Sequence, residues 1–199
     1  MRKPLQERAK VSTRQMIDAA VRVVAANGLA GMTVADVALE SGVSNGALYH
    51  RFDDRLGLLL ATQEQFLSNI EEEFSRLVKY ADTKPNNDEM MTTFVDGYLD
   101  LVVAHRRLFR AFSVEGHSID ELRERGAVTA NHLSSLLRAL FIPRYGCTVN
   151  AAESTHRLLM SLMAYSALYY QGEEALDHPL SLEELKRHTR RALMGALSP

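Results

Sequence analysis

Apolar residues recur every three to four positions along nearly the whole chain, and no stretch alternates with the two-residue period of a half-buried strand. The pattern predicts an all-α protein of about nine helices. Ile17, Ala20, Val21 and Val24 form the first stripe, which predicts a helix from Ser12 or Thr13 to Ala26, stopped by Asn27 and Gly28. Val34, Val37 and Ala38 give a short second helix one apolar face, with Thr33 as N-cap and Asp36 completing a capping box. Gly42 can take the left-handed conformation that closes it, and Ser44 caps a third short helix whose inward residue is Leu48. Two helices joined this tightly make a helix-turn-helix.

Beyond it, a short connector helix is expected from Arg55 or Leu56 to Leu60. A long helix from Thr62 to Tyr80 follows, with Phe66, Ile70, Phe74, Leu77 and Val78 inward and Glu71 to Glu73 wet. The segment 81–87, ADTKPNN, reads as a turn, and Asp88 as the cap of a helix to Ala104. A shorter helix holds Leu108, Phe109 and Phe112, and SVEGHS at 113–118 interrupts the pattern at Gly116. It resumes from Ile119 to Phe141, ahead of Pro143. The last two helices are expected from Asn150 to Tyr170 and from Ser181 to Leu197, joined by QGEEALDHPL. The domain reading is a basic arm over 1–11, a helix-turn-helix domain over 12–60 and a larger helical domain over 61–199.

With Leu48 inward, the helix period turns Asn45, Gly46, Tyr49 and His50 outward, where a helix-turn-helix meets the DNA major groove. Asn45 can pair with adenine, Ala47 offers a methyl to thymine, and His50 can donate or accept. Tyr49 brings a ring face and a hydroxyl. Thr33 and Ser44 stand at helix N-termini, where phosphates bind, and Arg51 and Arg55 are candidate cationic clamps. The stretch from Gly28 to Leu58 resembles the DNA-binding domain of the tetracycline-repressor (TetR) family of bacterial transcription regulators. The matching residues are Asn27-Gly28, Met32-Thr33-Val34, Val37-Ala38, Ser41-Gly42-Val43-Ser44, Leu48-Tyr49-His50, Phe52 and Arg55. Two positions depart from the family pattern. Asp53 and Asp54 stand where a cation is frequent, which weakens phosphate attraction and suits capping of the next helix. Ala35 stands where a longer polar side chain would widen the base contacts.

Charge changes the picture only through its distribution. The formal net charge is −2. Residues 1–14 hold Arg2, Lys3, Arg8, Lys10 and Arg14 against Glu7, whereas residues 61–199 hold 15 cations against 19 anions. A basic N-terminal arm without an apolar face, on an otherwise acidic chain, suits a DNA reader. The one cysteine, Cys147, reads as an inert, partly buried thiol in a reducing cytoplasm. No apolar run reaches the length of a membrane span, and the polar N-terminus is unlike a signal peptide, so a cytoplasmic location is expected. The seven histidines show no metal-ligand spacing, and no Gly-x-Ser-x-Gly, phosphate loop or dinucleotide fingerprint is present. No enzyme activity, metal or cofactor is expected.

The resemblance implies that the larger domain binds a small ligand and dimerises. Candidates for the pocket are Phe94, Tyr98, Phe109, Phe112, Met160, Met163 and Tyr169, with Glu115, His117 and His132 as polar anchors. Small residues beside leucines on the last two helices (Ala192, Gly195 and Ala196 with Leu185 and Leu193; Ser166 and Ala167 with Leu159, Leu162 and Met163) suit a four-helix bundle with a two-fold mate. A homodimer calls for a pseudo-palindromic operator on double-stranded DNA. The function read from this is a ligand-responsive repressor released from its operator by a small, largely apolar effector, the signal passing through the connector at Leu56 to Leu60. The competing reading is a DNA-localising protein-interaction module whose pocket is filled by its own side chains.

Overall fold

Helix-forming runs, punctuated by side-chain caps and left-handed glycines, give eight α-helices among the residues that the computed structural model describes, 3–169 and 180–197, with side chains from Val11 onward. They are α1 (Lys3–Gly31), α2 (Val34–Ser41), α3 (Asn45–Phe52), α4 (Arg55–Asp82), α5 (Asn87–Phe109), α6 (Asp120–Tyr145), α7 (Val149–Leu168) and α8 (Leu182–Leu197). A widened π turn, Arg110–Val114, and a 3-10 turn, Glu115–Ser118, join α5 to α6. The loop expected over 171–180 and His178 fall outside the described residues apart from Leu180.

Several boundaries differ from the sequence reading, each for a local reason. The backbone of α1 is helical from Lys3, through the segment read as an arm, because Leu5 to Lys10 are all good helix formers. The buried stripe of α1 is Met16, Ala19, Ala20, Val23 and Val24, with Ile17 and Val21 only half-buried. It is rotated and broadened because α1 packs against α2 on one side and against α4 and α5 on another. The break expected at Gly28 is present, with φ 71° and ψ 179°.

The connector is not a separate helix. Nothing between Leu60 and Thr62 interrupts the backbone, and the buried Thr62 hydroxyl donates to the Leu58 carbonyl at 2.6 Å within the helix. The result is one 28-residue α4, about 42 Å long. Its first turns bury Leu58 and Leu59 with the helix-turn-helix, and its later turns bury Phe66, Ile70 and Phe74 in the larger core. The line drawn at 60/61 therefore falls inside a helix.

Asn86, not Asp88, caps α5: its side-chain oxygen accepts from the Glu89 amide at 2.9 Å and its amide group donates to the Glu89 carboxylate at 2.9 Å. The helix then runs past Ala104 to Phe109, so the shorter helix expected around Leu108 is the end of α5 and the π turn. Likewise α6 passes through Pro143 and closes at Gly146, with φ 63°. A proline this near the end forfeits only the amide partner of the exposed Ala139 carbonyl. Thr148 caps α7, and Ser181 and Glu184 form a reciprocal capping box at the start of α8.

The larger core lies among α4, α5, α6 and α7. Phe66, Phe94 and Phe141 are fully buried there, Phe94 meeting Phe141 edge-on at 5.4 Å between centroids. Of the residues read as a dimer seam, Leu159, Met163, Ala167 and Leu193 are buried within the chain, while Ala192 and Gly195 remain exposed.

Candidate DNA interface and effector pocket

The helix-turn-helix is held by the caps its sequence encodes. Thr33 Oγ1 accepts from the Asp36 amide at 3.1 Å and donates to the Asp36 carboxylate at 2.6 Å. Gly42 sits at φ 71° and ψ 23°, and the Val43 amide reaches back to the Ala38 carbonyl at 3.1 Å. Ser44 Oγ accepts from the Ala47 amide at 3.2 Å. Leu48 is buried and fixes the roll of α3, which leaves Asn45, Gly46, Tyr49, His50 and Arg51 exposed and Ala47 half-buried. Asn45 with Tyr49, and Gly46 with His50, are i, i+4 pairs, so the outward residues form two adjoining rows along one helix face. A Cβ added at Gly46 would meet nothing closer than Ser44 Oγ at 3.9 Å. The fold places no steric demand for glycine there.

Arg55, read from sequence as a cationic clamp, is instead tied into the frame. Arg55 Nε donates to the Met32 carbonyl at 3.0 Å and its guanidinium also takes the Leu29 carbonyl. The arginine locks the start of α4 onto the link between α1 and α2, so its role as a phosphate clamp gains no support from this geometry. Asp54 caps α4, accepting from the Gly57 amide at 2.7 Å, as its acidic position suggested. Glu115, expected among the pocket anchors, lies elsewhere. Its carboxylate accepts from the Leu29 amide at 2.8 Å and pairs with Arg110 at 3.5 Å.

The pocket lies among α4, α5, the π and 3-10 turns, α6 and α7, and encloses about 280 Å³. Six of the expected residues line it: Tyr98, Phe109, Phe112, His117, Met160 and Met163. Phe94 does not; it is fully buried behind Tyr98, stacked on it at 6.1 Å between centroids. Tyr169 lies at the exposed end of α7 with its ring against Tyr165, and His132 opens onto an outer groove beside Ser68 and Glu71. The Tyr98 hydroxyl donates to the Leu159 carbonyl at 2.6 Å, and burial pushes its pKa up, so it stays a neutral donor already in use.

The sequence reading missed Gln63 on α4, His156 on α7 and the whole contribution of α6. Gln63 is 1% exposed, and its Nε2 donates to the Leu122 carbonyl at 2.8 Å, joining α4 to α6. Burial holds the pKa of His156 below the ordinary histidine value, ahead of an opposing pull from Glu153, so the ring is neutral at pH 7. Gly126, Ala127 and Ala130 make the α6 wall shallow. A glutamine inside a leucine and phenylalanine stripe was the available signal, since an amide buried in a helix face needs a partner. Among the described residues, no group of three His, Cys, Asp or Glu side chains could hold a metal ion, and no helix is long and apolar enough to cross a membrane.

Comparison with known proteins agrees with this arrangement. Residues 16–62, which span α1 from Met16 through the start of α4, match the family described as bacterial regulatory proteins, tetR family. The HTH-type transcriptional regulator CymR of Pseudomonas putida is 38% identical over 102 residues, 50% of this chain and 49% of that protein. The chain thus spans about half the length of that curated relative. Over the whole fold, a TetR-family regulator structure from Mesorhizobium loti superposes with a TM-score of 0.76 at 16% identity, covering 96% of each chain. The transcriptional regulator FadR of Bacillus subtilis, solved in complex with stearoyl-CoA, superposes with a TM-score of 0.69 at 18% identity, covering 92% of this chain and 98% of that one. The tetR-family match thus covers the helix-turn-helix domain, residues 16–62, and over its whole length the chain shares the helical architecture of those solved structures.

Proposed function

We propose that the protein is a ligand-responsive transcriptional repressor that leaves a pseudo-palindromic operator when a small, largely apolar effector fills the pocket. The observation that carries this reading is the covalent and hydrogen-bonded continuity between its two halves. One uninterrupted helix, α4, bears Gln63, Leu67 and Ile70 on the pocket wall and Leu58 and Leu59 under the helix-turn-helix. The 3-10 turn that puts His117 on the pocket rim also puts the Glu115 carboxylate on the Leu29 amide. A ligand that repositions α4 or this turn has a direct mechanical route to α3, and its differential affinity for the two positions sets the response. FadR, which shares the fold, has been solved with stearoyl-CoA, in keeping with a ligand-accepting larger domain.

DNA contact is assigned to Ser44, Asn45, Gly46, Ala47, Tyr49, His50 and Arg51, with Thr33 at the α2 N-terminus. Dimerisation is assigned to α7 and α8. Leu158, Leu162 and Tyr165 fall on one stripe of α7 at i, i+4 and i+7, Tyr169 just past the helix end lays its ring against Tyr165 at 4.8 Å between centroids, and all but the half-buried Leu162 are exposed in the single chain. That stripe, rather than the intrachain leucines, is the seam a two-fold mate would cover, and Tyr169 belongs to it. A regulator of this kind works in the cytoplasm.

The test is selection of genomic DNA fragments by the purified full chain at a stated salt concentration, followed by titration of the enriched site with a panel of apolar compounds. One enriched palindrome, bound as a dimer and released by a compound that binds the protein, is the expected result. Binding to DNA that no compound alters would instead favour a protein-interaction module.

A further inference from the structure

Two shielded polar atoms of pocket-lining residues lack a hydrogen-bond partner: Gln63 Oε1 and His156 Nε2. The orientation of Gln63 is settled by its other end. Because Nε2 donates to the Leu122 carbonyl at 2.8 Å, the unpartnered atom is the oxygen, an acceptor that asks for a donor. Its side chain is buried and its oxygen shielded from water, so the desolvation of that acceptor is uncompensated. His156 is neutral, since burial disfavours its charged form. The charged side chain that lines the cavity, Arg123, is exposed and already ion-paired with Asp120 at 2.6 Å. The Tyr98 hydroxyl is taken by Leu159, and much of the rest of the wall is apolar. An ion drawn into this cavity would shed its hydration without meeting a buried counter-charge.

We propose that the effector is an uncharged, mainly apolar molecule carrying a hydroxyl or N–H that donates to Gln63 Oε1, with a second polar atom able to reach His156 Nε2. The inference rests on the ligand-gated reading above and narrows it to a chemical class. It also gives Gln63 a double position. The same amide group that would accept the ligand's hydrogen bond holds α6 through Leu122, and it stands on α4 one turn beyond Leu58 and Leu59. Binding at that amide would bear on the α4–α6 contact and on the helix that seats the DNA reader.

The experiment is calorimetric titration of the full chain at pH 7.5 with three probes of one shape: 4-tert-butylphenol, its methyl ether and 4-tert-butylbenzoate. The phenol should bind at least about tenfold tighter than the ether, which cannot donate, and the benzoate should bind weakest. In Gln63→Met, checked for folding by its melting curve, the phenol should lose its advantage over the ether. If that variant does not fold, the wild-type series decides alone. An ether that matches the phenol, or a benzoate that binds tightest, overturns the donor rule while the ligand-gated reading stands. No binding of any probe to a chain that still selects DNA overturns the proposal together with the pocket half of that reading.

Discussion

The Glu115 carboxylate accepts the Leu29 amide at 2.8 Å across 86 residues of sequence, and Leu29 is held at its other end by Arg55. Leu29 is thus a node with its side chain in the core, its N–H given to the larger domain and its carbonyl to the start of α4. If this clasp transmits the signal, Glu115→Ala should leave effector affinity within about twofold and narrow the difference in operator affinity with and without effector. Leaving the Leu29 amide unpaired should also cost about 1–3 kcal/mol in denaturant unfolding. Glu115→Gln keeps an acceptor and should fall between. Equal losses of ligand and operator binding in both variants would argue for a purely structural clasp.

Gly28 stands against this carboxylate at φ 71°, and a Cβ there would lie 2.8 Å from Glu115 Oε2. Gly28→Ala should therefore destabilise by about 1–2 kcal/mol from backbone strain, with a further penalty from displacing Glu115. Gly146→Ala, at φ 63° and ψ 19° in open surroundings, should cost less, since that ordinary left-handed conformation is one other residues can adopt whereas Gly28 has ψ 179°. The same Gly28→Ala change made in a Glu115→Ala background separates the clasp from the backbone strain.

Gly46 separates folding from function. Replacement by alanine meets no obstacle in the protein and should raise helix stability by up to about 1 kcal/mol. It should lower operator affinity if the helix backbone approaches the groove wall. A melting curve and a DNA titration on one sample read both effects, and unchanged operator affinity would remove Gly46 from the interface.

Arg51 and Arg55 should part company in a salt titration. Arg51 is exposed on α3, so Arg51→Ala should reduce the slope of log affinity against log salt by about 1. Arg55 is spent on two carbonyls, so Arg55→Ala should leave that slope nearly unchanged and cost about 1–3 kcal/mol of stability. A slope change at Arg55 equal to that at Arg51 would restore it as a phosphate clamp.

The neutral His156 predicts an acid-side loss of stability. Its folded pKa lies below the ordinary value of about 6.5, so the unfolded chain binds the proton first. Stability from this group is present above about pH 6.5 and falls as pH drops towards the lowered folded pKa. Melting temperatures of His156→Phe should show a weaker decline over that interval than the parent chain. Parallel curves would mean that His156 does not titrate as its burial requires.

The helix-turn-helix domain was legible because its information is local. Thr33, Gly42, Ser44 and Leu48 each act on a backbone group or neighbour a few residues away, and the structure realises them as caps, turn and core residue. The pocket was legible only as a composition of aromatics and methionines, five of which do line it, with His117 from the polar anchors.

By itself, the sequence determined the all-helical architecture, the helix-turn-helix and the outward face of α3, since helical periodicity and capping depend on spacing along the chain. Tertiary structure alone decided which buried residues face a cavity and which face the core, because Phe94 and Tyr98 share a helix face and only α6 and α7 distinguish them. It also decided the partners of Gln63, Arg55 and Glu115, whose contacts bridge 59, 26 and 86 residues. A polar side chain carries its need for a partner in its chemistry, but which partner it meets is set by how distant helices pack.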